Sequence, residues 1–252
     1  VKLKRVFISR PRRFGKSLTL DTIGTLFEKG VEPFFKDTWI YDKWTEPTYP
    51  VFRLSFLNLD NSSLDLFKKQ LNSIISEFAI KISVKGYVEK SEPEDSILSL
   101  LEKLEEETRQ IVILIDEYDY QLTSNINHGD LYKQFQQKIK SFYANIKDKL
   151  AIKFLGITGV TRLKDVEIFS IGSDIKDITN YSPYSQMIGF TRDEIKKYYI
   201  DYLKLAASYE NNCNVDNVTE AQIESLLDRL AKNYDGYCFD EDYEKKFFFS
   251  FP

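Results

Sequence analysis

The segment SRPRRFGKSLTL, Ser9 to Leu20, concentrates guanidinium, ammonium, hydroxyl and glycine chemistry in one short stretch. That mixture suits a polyanion. In a loop that leaves a strand and opens a helix, Gly15 lets the backbone approach a phosphate, Lys16 reaches the terminal phosphate oxygens and the Ser17 hydroxyl ligates magnesium. Arg12, Arg13, Phe14 and Leu18 complete the candidate nucleotide-contacting turn. The helix start adds unpaired N–H groups and a positive dipole end. The consensus GxxxxGK[ST] wants glycine five residues before Gly15, and Arg10 stands there instead. Pro11 can supply a fixed turn dihedral in its place. The competing reading is a helix cap followed by a solvated basic turn of Arg10, Arg12 and Arg13.

A second constellation is IVILIDEYD, Ile111 to Asp119, where five apolar strand residues end in two carboxylates. A strand lying beside the one that carries the first motif would bring Asp116 to the magnesium and leave Glu117 to polarise an attacking water. The bland alternative is a buried strand that ends in a turn cap. Asp119 falls past the expected strand end and is assigned a minor role. AIKFLGITG brings Thr158 to the same sheet edge, where its hydroxyl is placed to sense a γ-phosphate, with Arg162 beyond it as a weaker candidate for transition-state charge. His128, in NHGD, reads as a turn residue. Neither NIKD at Asn145 nor TRLKD at Thr161 has the spacing of a guanine reader, which favours ATP over GTP.

Elements of both kinds must position these residues. KRVFIS (Lys4 to Ser9), VFRLSFL (Val51 to Leu57), IVILI (Ile111 to Ile115) and AIKFLGI (Ala151 to Ile157) read as strands covered on both faces. Helical spacing joins Leu20, Ile23 and Phe27, with Gly30 as the stop, and recurs over Leu66 to Phe78 and Ser91 to Gln110. The alternation predicts an α/β fold, a P-loop NTPase core whose mainly parallel sheet is flanked by helices, over residues 1–189. From Thr191 only amphipathic helices follow, so residues 190–252 are expected to form a small helical lid-like region.

Composition narrows the chemistry further. One histidine and two cysteines without a CxxC leave no basis for a zinc site or a Ser-His-Asp triad, and suit reduced thiols in a cytoplasmic protein. The net charge of -4 supplies no global field for nucleic acid. No apolar run approaches the roughly 18 residues a membrane span needs. The absent initial methionine and the closing FFFSFP read as cut ends of something longer.

RPRRFGKS, ILIDEYD, TGVTRL, GFTRDEI and NYDGYCF, in that order, resemble the bacterial AAA-ATPase-like family over nearly the whole chain. The resemblance implies that the arginine-rich first motif is a family trait. It also implies ATP and Mg2+ as ligands, and an ATPase core followed by a helical region bearing YDGY, Tyr234 to Tyr237. Many relatives continue into a nuclease-like domain of the PD-(D/E)xK type, which cannot be carried over to this chain. The expectation is Mg-dependent ATP binding with slow hydrolysis, driving a switch toward an unknown protein partner or a missing C-terminal domain. The rivals are a nucleotide-binding module without turnover and a nucleic-acid-associated protein using Arg10, Arg12, Arg13 and Lys16.

Overall fold

The run Ile111–Ile115 decides the architecture, because none of its five side chains is more than 2% exposed. A strand with no wet face needs helices on both sides of its sheet. The computed structural model describes residues 3–162, 174–234, 237–239 and 246–247. The chain forms two compact units, one of Val1–Pro11 with Lys16–Asp177 and one of Arg12–Gly15 with Ile178–Pro252. The division falls at Asp177, ahead of the expected boundary at Gly189.

In the first unit the chain runs β1 (Arg5–Ser9), α1 (Lys16–Lys29), β2 (Val51–Ser55), α2 (Leu64–Lys81), α3 (Pro93–Glu106), β3 (Ile111–Asp116), α4 (Tyr120–Ser124), α5 (Gly129–Ile146), β4 (Ile152–Gly159) and β5 (Lys176–Asp177). All five strands are parallel, in the order β2-β3-β4-β1-β5. The four strands read from sequence form the sheet, and β5 adds a two-residue edge. One expectation is corrected: β3 does not lie beside β1, because β4 pairs with both.

The alternation of side chains along β3 sorts its two faces. Ile111, Ile113 and Ile115 enter the larger cluster with α2, α3 and α5, while Val112 and Leu114 meet Leu20 and Phe27 of α1. Burying each such side chain contributes about 2 kcal/mol. Helix α1 sits close to the sheet at Gly24, where a Cβ would come within 2.8 Å of Leu114 and Arg53. It stops at Gly30, as expected from the sequence, with φ +76°.

The second unit holds α6 (Arg192–Tyr198), α7 (Ile200–Asn211) and α8 (Glu220–Tyr234) around Ile195, Leu203, Ala207, Ile223 and Leu227. GFTRDEI has a local reason: Thr191 and Glu194 form a reciprocal capping box at the start of α6. Arg192 then forks onto Glu224 and Asp228 of α8. The expectation of helices alone is corrected by β6 (Tyr237–Cys238) and β7 (Lys246–Phe247), which pair antiparallel. No helix among the described residues is long and apolar enough to cross a membrane.

Candidate functional site

Parallel strands end on one edge of a sheet, so the residues that close β1, β3 and β4 are brought level by register. Ile8 pairs with Thr158, Ser9 with Gly159 and Ile115 with Ile157. Asp116, the last residue of β3, is the hub of this edge. Ser17, in the first turn of α1, donates its hydroxyl to Asp116 Oδ2 at 2.5 Å. Thr158 donates Oγ1–H to Asp116 Oδ1, and the Glu117 N–H donates to the same oxygen at 3.0 Å. The carboxylate is therefore fixed in orientation from three directions.

Lys16 lies one residue before Ser17, and its side chain is only 3% exposed. Its Nζ donates to the Pro11 carbonyl at 3.2 Å and lies 3.3 Å from Glu117 Oε1. Glu117 adopts a left-handed backbone, φ +50°. For a residue with a Cβ this conformation costs about 1 kcal/mol. Beside the carboxylate, a cavity of about 260 Å³ is lined by Ser17, Asp21, Arg53, Ser55, Asn58 and Asp116, among others.

The turn that precedes Lys16 differs from its sequence reading in two side chains. Arg10 is fully buried, with its N–H donating to the Gly159 carbonyl at 3.1 Å and its guanidinium to the Ser9 carbonyl at 2.9 Å. Burial pushes the guanidinium pKa down to about 10, opposed by Asp177 and aided by Arg162. A solvated basic turn including Arg10 is thereby excluded. Arg12 and Arg13 are exposed, as is Leu18. Phe14 is 2% exposed, and its ring packs against Tyr237 and Phe239. Gly15 has φ +87°, a conformation in which glycine is at ease.

Asp119 was underrated by sequence reasoning. It is 1% exposed and accepts from the Val160 N–H and, at 2.6 Å, from the Thr161 N–H. Tyr118, fully buried, donates its hydroxyl to the Thr161 carbonyl at 3.1 Å. Gly159 makes this approach possible, since a Cβ there would lie 2.3 Å from the Tyr118 ring. The YD of IDEYD and the TG of GITG were the signals. Both are short polar or glycine steps at strand ends, where one chain segment must accept another.

A hydroxyl and a carboxylate converging on one point are hard oxygen donors, the set that suits magnesium. A buried ammonium and a second carboxylate stand beside them. A five-stranded all-parallel sheet flanked by helices, with these groups at its C-terminal edge, is consistent with a P-loop-like α/β protein. Residues 1–169 match the family described as Predicted AAA-ATPase, and the chain belongs to that family. It is also 32% identical over 193 residues to a protein of Azotobacter chroococcum mcd 1 described as "Uncharacterized protein in vnfD 5'region". The match covers 75% of this chain and spans 37% of the length of that relative.

Proposed function

We propose that this chain binds ATP together with Mg2+ and hydrolyses it slowly, the cycle switching contacts to a protein partner or to a further part of a longer chain. The observation that carries the reading is the convergence of Ser17, the residue after Lys16, on Asp116 at 2.5 Å. In this reading Lys16 and the backbone of residues Arg12–Leu18 bind the phosphates. Ser17 and Asp116 would hold magnesium, which when bound would supply charge screening at the phosphates. Thr158 keeps Asp116 turned toward Ser17, as its hydroxyl does here. Glu117 takes a proton from water, provided that Lys16 releases it.

That last condition favours a second reading by a specific observation. The Lys16–Glu117 pair occupies both groups at once, as in a nucleotide-binding module without turnover. The nucleic-acid reading loses support, because Arg10 is buried and absent from any basic surface. The deciding experiment is magnesium-dependent binding and hydrolysis of ATP against GTP, with Lys16→Ala as control. ATP binding without phosphate release selects the module, and absence of binding rejects both.

A further inference from the structure

Tyr237 and Phe239, the described aromatic residues of the NYDGYCF motif, take no part in the chemistry proposed above, yet they share a compact unit with Arg12–Gly15 from the other end of the chain; Asp235 and Gly236 lie outside the described residues. Phe14 meets Tyr237 at a centroid distance of 5.0 Å and an interplanar angle of 81°. It meets Phe239 at 5.3 Å and 89°. Tyr237 and Phe239 are themselves parallel within 12°, two residues apart on one side of an extended segment. Phe14 thus stands edge-on to a pair of aligned rings, a favourable quadrupole geometry for both contacts. Phe14 is 2% exposed and Phe239 8%.

The backbone explains why such an anchor would be needed. Arg13 has φ +67° and Gly15 φ +87°, so Phe14 sits between two left-handed residues. Arg13 carries a Cβ, and a left-handed non-glycine residue persists where surrounding structure over-determines it. Left-handed steps in a turn direct N–H groups into a concavity that takes anions. If the anchor loosens, the turn populates other shapes and its affinity for an anion falls in proportion to the competent fraction.

We infer that Tyr237 and Phe239 are positioning residues for the Arg12–Gly15 turn, acting through the Phe14 ring to hold its backbone in the shape that receives phosphate. The consequence for binding rests on the ATP reading above. Linkage makes it reciprocal: a nucleotide on the turn must tighten the Tyr237–Phe239 contact by the same factor.

The test uses the full chain and two readouts, titration with a fluorescent ATP analogue and amide hydrogen exchange of the peptide containing Phe14 and Gly15 without nucleotide. Phe239→Ala is expected to weaken binding about tenfold and to speed exchange in the turn by a similar factor. Phe239→Tyr, which keeps the ring, is expected to restore both. Tyr237→Leu, at a residue 37% exposed, provides the same readouts should Phe239→Ala fail to fold. Unchanged affinity and exchange, or equal losses in Phe239→Ala and Phe239→Tyr, overturn the inference. If the wild-type chain binds no triphosphate, the ATP reading fails by itself, and exchange in the turn still decides whether the aromatic anchor sets its backbone.

Discussion

Replacing Glu117 by Gln removes one charge and keeps the shape of the side chain, and two opposite effects are expected from that single change. Lys16 Nζ lies 3.3 Å from Glu117 Oε1. Unit charges at that distance attract by roughly 1.3 kcal/mol at the dielectric of water and roughly 5 kcal/mol at an effective value of 20. The Lys16 side chain is 3% exposed and that of Glu117 19%, so the coupling falls between these limits after desolvation is offset. A triphosphate must compete for Lys16 against this pair and must also tolerate the nearby carboxylate. Gln still accepts a hydrogen bond from Lys16 but contributes no charge. ATP affinity should therefore rise about tenfold, or roughly 1.4 kcal/mol. Phosphate release should fall by about 10² to 10⁴, the usual contribution of a positioned base. Equilibrium titration in magnesium and single-turnover phosphate release measure the two effects on one sample. Affinity that drops as in Lys16→Ala, or turnover equal to wild type, refutes the reasoning.

Lys16→Ala should weaken ATP binding by about 100-fold or more, because it removes a buried charge-assisted donor; titration with the analogue checks this. Asp116→Asn should cost about tenfold in affinity with magnesium and little in EDTA, and equal losses in both would make Asp116 a structural carboxylate. Asp119→Asn should lower the melting temperature by roughly 4–8 °C, since the Val160 and Thr161 amides lose a charged acceptor worth about 2 kcal/mol. Gly159→Ala should destabilise by roughly 3 kcal/mol in urea unfolding, because its Cβ would lie 2.3 Å from the buried Tyr118 ring.

Much of the sheet was legible because its signals are local. Apolar β-branched runs marked β1, β3 and β4 to within a residue or two at either end, and apolar spacing marked α1 to α3. The groups at Lys16, Ser17, Asp116, Glu117 and Thr158 were legible because strand-end chemistry follows strand assignment. What stayed hidden depends on distant partners. The place of β4 between β1 and β3 is a matter of pairing order, which no single segment encodes. Asp119 was assigned a minor role because its acceptor role exists only once the segment after β4 arrives, 41 and 42 residues later. The packing of the Phe14 ring stayed hidden because its partners, Tyr237 and Phe239, come from the far end of the chain. The break between α6 and α7 at Tyr199 was also invisible, since the apolar spacing of TRDEIKKYYIDYLKLAA continues across it.

The position of β1 has a cost during synthesis. Its sheet neighbours are β4 and β5, both made long after it, and the Ser9–Val160 hydrogen bond closes a separation of 151 residues. At about 5–20 residues per second, β1 waits roughly 8–30 s on the ribosome with both ladder edges open. A nascent chain ending before β4 displays SRPRRFGKS on an unpaired apolar strand and holds no assembled site. Slow non-local pairing of this kind favours edge-to-edge association, so the early strand is where a chaperone has most to protect.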